Sequence, residues 1–398
     1  MRLKRILAIA IAMLIVTMSM ASCGAGGGEE EGKERVYIGL TAPLSGLGGG
    51  YGADIKAGLD MAINKINAQG GVNIGGKDYI FVLKTADDVA VPETAHANAQ
   101  RFILEDGINI IWNPVATTLG PLREINEKKG EEFLIMAYTS TPLWEQKPNR
   151  LYVQGPPPFT ALSKAFSAMA RKKGWSKAAM LQTSGAYGEE WGTTFKKDWT
   201  ALGGTVVAEA LSSYYSVTDF TPYITKAMAG NPDVIFCGGP TEATALLIDQ
   251  ARNLGFKGGF VVIDQAKLDI IAEKLGWNKM EGAIGVIPTS VSDAPYMPTF
   301  MKEYEKEYGK TVTWETVFCY TMFFMLVDSM KIAGSVDDVE AIRAAFAKNC
   351  VADPAEYPVA CAGINDSTGQ MLTPTQYGIV ENGQFKAEPA ILWWEQGH

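Results

Sequence analysis

Gly155-Pro156-Pro157-Pro158 stands between two runs of the same alternation and decides how the chain is read. Three consecutive prolines continue neither a helix nor a central strand. Before the break, short apolar runs at Val36–Leu40, Tyr79–Lys84, Ile108–Trp112 and Phe133–Ala137 read as strands. Helical patterns separate them. The residues 54–69 carry Ile55, Leu59, Ile63 and Ile66 on one stripe and stop at Gly70-Gly71, Pro92 opens a second helix, and residues 119–129 form a third. After the break the alternation restarts: helix 160–173, strand 178–181, helix 189–202, strand 205–210, helix 221–229, strand 234–237, helix 241–254 and strand 260–263. Two βα series on either side of a proline break predict an α/β protein of two Rossmann-like, parallel-sheet lobes.

From Pro295 the pattern changes. Residues 298–308, 315–333 and 339–348 read as helices in succession, and Tyr377–Val380 and Ala390–Trp394 as closing strands. Helices alone build no third sheet, so the tail is expected to pack back on the first lobe while the last strands close the second. Such crossings imply a hinge and a cleft.

The chain has 398 residues, 35 Lys+Arg against 44 Asp+Glu, and a formal charge of −9. No basic block is present, which argues against nucleic acid as a partner. The two histidines, His96 and the terminal His398, leave almost no material for histidine catalysis or a His-rich metal site. No cofactor is expected. Gly48–Ala53 satisfies a loose dinucleotide pattern, but residues 41–47 separate it from its strand and no acid follows at the ribose-reading position, so it reads as a flexible rim to a site.

Arg2, Lys4 and Arg5 precede an apolar run from Ile6 to Val16, the layout of an export signal over residues 1–22. The ending Ala21-Ser22-Cys23 resembles a bacterial lipobox, which implies cleavage before Cys23 and lipid on its sulfur. Residues 23–35 then read as a tether, and the protein as exported to the periplasm or cell surface and anchored to the membrane. Outside the cytoplasm, nucleotide-dependent chemistry is disfavoured. Cys350 and Cys361 flank a Pro-containing loop that an oxidising compartment would let them close as a disulfide. Cys237 and Cys319, in a strand and an apolar helix, read as core thiols.

Three stretches carry a resemblance. They are Ile38–Gly46 (IGLTAPLSG), Gly58–Ala62 with Ile66–Val72 (INAQGGV), and Ala186-Tyr187-Gly188 with Thr218–Thr221. Together they resemble the branched-chain amino-acid receptors of ABC importers among the type I periplasmic binding proteins. The resemblance implies two lobes joined by a three-crossover hinge, a small amino acid or related carboxylate closed between them, an ABC permease as partner, and no enzymatic step. The expected divisions are 36–153 and 288–375 for lobe one, and 154–287 and 376–398 for lobe two.

An amino acid presents a carboxylate and an ammonium. Hydroxyls and backbone N–H groups at helix N-termini suit the first, and a carboxylate in a water-poor cleft suits the second. Strand-end turns 112–118 and 138–142 supply the hydroxyls. By family position Thr117 and Thr141 match the carboxylate hydroxyls, Thr139 a main-chain contact, Asp264 the ammonium partner, and Tyr187 and Tyr51 aromatic walls. Trp112 reads equally as a wall or as core. Pro240 replaces a family aromatic, which leaves the side-chain specificity open. The alternatives are the same fold taking an aromatic acid, an amide or a urea-like ligand, a ligand-sensing receptor domain, and an anchored α/β enzyme.

Overall fold

A computed structural model describes residues 32–143 and 147–395. The export signal, Cys23 and nearly all of the tether lie outside the described residues, as do residues 396–398. The first series comprises β1 (Glu34–Ala42), α1 (Gly49–Ala68), β2 (Val72–Ile74), β3 (Lys77–Asp87), α2 (Pro92–Leu104), β4 (Ile110–Asn113), α3 (Ala116–Ile125), β5 (Leu134–Ala137) and β6 (Tyr152–Gln154). The second comprises α4 (Phe159–Lys172), β7 (Lys177–Gln182), α5 (Ala186–Ala201), β8 (Thr205–Glu209), α6 (Thr221–Met228), β9 (Val234–Gly238), α7 (Thr241–Asn253), β10 (Gly259–Val262), α8 (Leu268–Leu275) and β11 (Ala283–Val286). The tail runs α9 (Met297–Tyr308), α10 (Trp314–Ala333), α11 (Val339–Asn349), β12 (Ile364–Asn365), β13 (Gln370–Met371), β14 (Tyr377–Glu381) and β15 (Gln384–Ala387).

Two sheets result. One has the order β12-β13-β6-β5-β4-β1-β3-β2 and the other β15-β14-β11-β10-β9-β7-β8. Central pairs such as β4·β5, β7·β9 and β9·β10 are parallel, and antiparallel pairs sit at the edges. The central strands β4, β5, β9 and β10 are buried at every position. That is why they read as continuous apolar runs rather than as alternations.

The chain crosses between the sheets three times, between β6 and α4, between β11 and α9, and between β13 and β14. Side chains tie the first crossing to the third and the second to α10. Gln370 Nε2 donates to Pro156 O at 2.8 Å, Thr373 Oγ1 to Gly155 O at 3.1 Å, and Trp314 Nε1 to Ile287 O at 2.7 Å.

The helical tail belongs with the first sheet. α10 packs between α1 and α11, and its Phe323 meets Phe81 of β3 edge-on at 5.2 Å. This helix is apolar all round, long enough to cross a membrane, and mostly buried inside the lobe, as expected for a core helix. Each large side chain it buries stabilises the lobe by about 1.5–3 kcal/mol. Gly58 lets α1 approach it: a Cβ there would stand 2.4 Å from Thr316 O.

Several expectations are corrected. Ala390–Trp394 is not a strand; Ile391 makes a single bridge to Thr375, and Trp393 begins a short 3-10 turn. The partner of β14 is β15, reached through Asn382-Gly383, both at positive φ, a tight hairpin turn. Gly48–Ala53 is not a flexible rim. α1 already begins at Gly49, and a Cβ on Gly52 would meet Pro43 O at 2.0 Å, so this glycine serves helix packing. β2, β6, α8, β11 and the short β12–β13 pair were not anticipated.

Candidate functional site

Each lobe presents its strand-to-helix turns to the space between the sheets. In lobe one, β4 ends at Asn113, whose side chain organises the turn that follows. Its Oδ1 accepts from Val115 N at 3.1 Å and Thr118 Oγ1 at 2.8 Å, and its Nδ2 donates to Thr41 O at 3.1 Å. Thr117, half-buried, lies in the first turn of α3, where free backbone N–H groups and the helix dipole favour an anion. After β5, Thr139 Oγ1 accepts from Thr141 N at 3.2 Å. Gln154 Nε2 donates to Thr139 O at 2.6 Å and anchors this turn to β6.

In lobe two, Asp264 follows β10 and Tyr187 opens α5. Asp264 Oδ1 accepts from Tyr187 Oη and from Trp191 Nε1, the latter at 2.8 Å. Gly188 lets the start of α5 pack on the end of β7: a Cβ there would stand 1.8 Å from Thr183 O. Burial, with the charge of Asp264 next, pushes the Tyr187 hydroxyl well above its ordinary range, so it remains a donor.

These turns enclose a cavity of about 70 Å3. Thr117 and Thr139 line it from lobe one, Tyr187 and Asp264 from lobe two, and Tyr51 from α1. Tyr51 Oη donates to Pro114 O at 3.0 Å, which fixes its ring as a wall. Thr141 is fully buried but does not line this cavity, and its Oγ1 has no hydrogen-bond partner among the described residues. Trp112 belongs to the lobe-one core beside Phe323. Pro240 caps α7 outside the lining.

The cavity also holds residues that sequence reasoning missed. Among the described residues, the buried Ser140 Oγ and the Gln265 Oε1 have no hydrogen-bond partner, and Tyr215 accepts from Gln265 Nε2 at 3.1 Å. Glu315, at the start of α10, lines it as well and is 2 % exposed. Only a carboxylate in the first turn of so apolar a helix could have drawn attention to it.

A larger cavity of about 340 Å3 shares Tyr138, Pro156 and Asp264 with the first. Its walls are mostly apolar, with Val286 and Ile287 from the second crossing and Trp314 and Phe318 from α10. The Cys350–Cys361 loop also contributes to them. Both cysteines are buried thiols with sulfurs 3.7 Å apart, and Ala352 pairs with Cys361 across the loop. Cys237 and Cys319 are buried core thiols. Among the described residues no three His, Cys, Asp or Glu side chains gather as a metal set.

Two α/β lobes, three crossings and a polar cavity between strand ends define a solute-binding protein of the type I periplasmic fold. The sequence profile described as periplasmic binding protein matches residues 35–381, and the chain belongs to that family, one of solute-binding proteins rather than enzymes. The Leu/Ile/Val-binding protein BraC3 of Rhizobium johnstonii is 26% identical over 350 residues, 86% of this chain and 90% of that one. A leucine binding protein, LivK, from Thermotoga maritima superposes with a TM-score of 0.75 at 22% identity, covering 89% of this chain and 98% of its own. A solute binding protein from R. palustris in complex with benzoate superposes at 0.76 with 18% identity, covering 90% and 98%.

Proposed function

We propose that this protein captures an amino acid, branched-chain or similar, outside the cytoplasm and delivers it to an ABC permease. The observation that carries the reading is the division of the small cavity: hydroxyls and a helix N-terminus on one lobe, an oriented carboxylate on the other. The ligand carboxylate would take the Thr117 hydroxyl and N–H groups of the lobe-one turns, with Thr141 joining on closure. The ammonium would face Asp264. Tyr51 and Tyr187 would flank the ligand, and an apolar side chain would extend toward the larger cavity. The lobes would close about the three crossings. The names of the Leu/Ile/Val-binding relatives support the same ligand class. Lipid on Cys23 would hold the receptor beside its permease, and Cys350 and Cys361 would be joined in that compartment.

A second reading takes an aromatic acid, as the benzoate-bound neighbour does. The apolar cavity beside Trp314 and Phe318 favours it. The acids Asp264 and Glu315 on one cavity count against it, because an anionic ligand without a cation would be repelled by both.

Calorimetry with the twenty amino acids and benzoate tests the proposal. Binding of an aliphatic amino acid, weakened in Thr117→Ala and Asp264→Ala, supports it. Binding of benzoate alone overturns it in favour of the second reading, and no binding of any of them overturns both. For the anchor, Cys23→Ser should move the protein from the membrane fraction to the soluble one.

A further inference from the structure

Glu315 stands out among the residues around the small cavity. It is fully buried, belongs to lobe one, and faces a single cation, Lys267, which precedes α8 in lobe two. Lys267 Nζ lies 2.6 Å from Oε1 of Glu315, and the ion pair thus spans the two lobes. Apart from that contact, neither carboxylate oxygen of Glu315 receives a hydrogen bond among the described residues. Lys267 has no capacity left for more, since its remaining donors reach Asp264 O at 3.1 Å and Gln265 O at 2.7 Å. A buried carboxylate with unfilled acceptor sites is costly. Asp264, on the opposite wall, already spends Oδ1 on Tyr187 and Trp191.

We propose that Glu315 is a second anchor for the ligand's amine: the ammonium of a bound amino acid is shared between Asp264 of lobe two and Glu315 of lobe one. This rests on the amino-acid reading of the cavity and deepens it. A three-donor ammonium between two carboxylates from different lobes adds, beside the Lys267–Glu315 pair, an interlobe contact that only an amine supplies. A deaminated ligand leaves Glu315 unfilled and brings its own negative charge near two acids. The pair therefore selects for amines as well as holding them; burial pushes the Glu315 carboxyl up, and Lys267 opposes that shift and orients it until the ligand arrives.

The test uses leucine and 4-methylpentanoate, which is leucine without its amine, titrated calorimetrically into the wild-type protein, Glu315→Gln and Lys267→Met. The expected result is that Glu315→Gln weakens leucine on the order of 30-fold while 4-methylpentanoate binds no more weakly than to wild type, so that the preference for the amine collapses. If Glu315→Gln weakens both ligands by the same factor, Glu315 is only an interlobe clasp and the proposal is overturned. Unchanged leucine affinity overturns it too. Should Glu315→Gln not fold, the double variant Lys267→Met/Glu315→Gln removes both charges together, and the same loss of preference is expected from it. If wild type binds neither leucine nor any other amino acid, the amino-acid reading itself has failed, a result seen before any variant is made.

Discussion

The two lobes bring opposite kinds of chemistry to the same cavity. Lobe two has its acid in place before any ligand arrives: Asp264 is held by Tyr187 and Trp191, and Lys267 locks the turn by two carbonyl contacts, with Gln265 Oε1 left without a partner among the described residues. Lobe one is left open. Ser140 Oγ and Thr141 Oγ1 are buried without hydrogen-bond partners among the described residues, and the Glu315 carboxylate has only the Lys267 ammonium beside it. Removing the held acid of lobe two should therefore damage structure and binding together. Removing one from the open lobe should touch binding alone.

Asp264→Ala gives the largest expected effect. It deprives Tyr187 Oη and the buried Trp191 Nε1 of their acceptor, each orphaned donor costing about 1–3 kcal/mol. Thermal unfolding should shift down and leucine affinity should fall by about 100-fold or more. An unshifted melting curve would break the contrast between the lobes.

Next is the Cys350–Cys361 loop, which walls the larger cavity. Protein matured in an oxidising compartment should be two hydrogens lighter by mass spectrometry and resist alkylation. Reducing that bond should cost about 2–3 kcal/mol of stability. If leucine affinity survives reduction, the bond steadies the fold rather than the small cavity.

Thr117→Ala and Ser140→Ala sharpen the comparison from the open side. Thr117→Ala should weaken leucine by about 10-fold, the worth of one hydrogen bond to a charged group. Ser140→Ala should leave the unliganded protein as stable as wild type, or slightly more so, because its hydroxyl is buried unpaired. Loss of stability in both would mean that lobe one, like the acid of lobe two, is in place before the ligand arrives.

The smallest effect concerns pH. Asp88 lies beneath the lobe-one turn, accepting from Thr41 Oγ1 at 3.1 Å and Ala90 N at 2.9 Å, with Asn113 Nδ2 at 3.4 Å. Burial pushes its carboxyl up to about 6. A raised carboxyl contributes stability that is fully present below its unfolded value, near 4, and lost as pH rises through about 6. The stability of wild type relative to Asp88→Asn should accordingly decline between about pH 4 and 7 and be flat below. A constant difference would show that Asp88 is not titrating there.

The contrast also separates what was legible in the sequence from what was not. Strands such as β4 and β9 were readable because a buried parallel strand must be apolar throughout, and Gly70-Gly71 and Pro92 mark helix ends by local chemistry. Strand ends, where an open α/β sheet puts its ligands, drew attention to the turns of Thr117, Thr139 and Asp264, the family resemblance pointed to all five of Tyr51, Thr117, Thr139, Tyr187 and Asp264, and all five line the small cavity. Glu315, Ser140 and Trp191 were not. Glu315 lies far along the chain from Asp264, in a segment that reads as core helix, and nothing local says that its first turn faces the other lobe.

Sequence by itself determined the two βα series, the break between them and the turns that carry hydroxyls and an acid, because these depend on short-range periodicity and on the conformational limits of proline and glycine. Tertiary structure alone decided which acids share a cavity, which hydroxyls remain unpaired, and that Lys267 and Glu315 meet across the lobes. Those facts depend on how three separate crossings bring distant turns together, and on desolvation, which acts only once the lobes are packed.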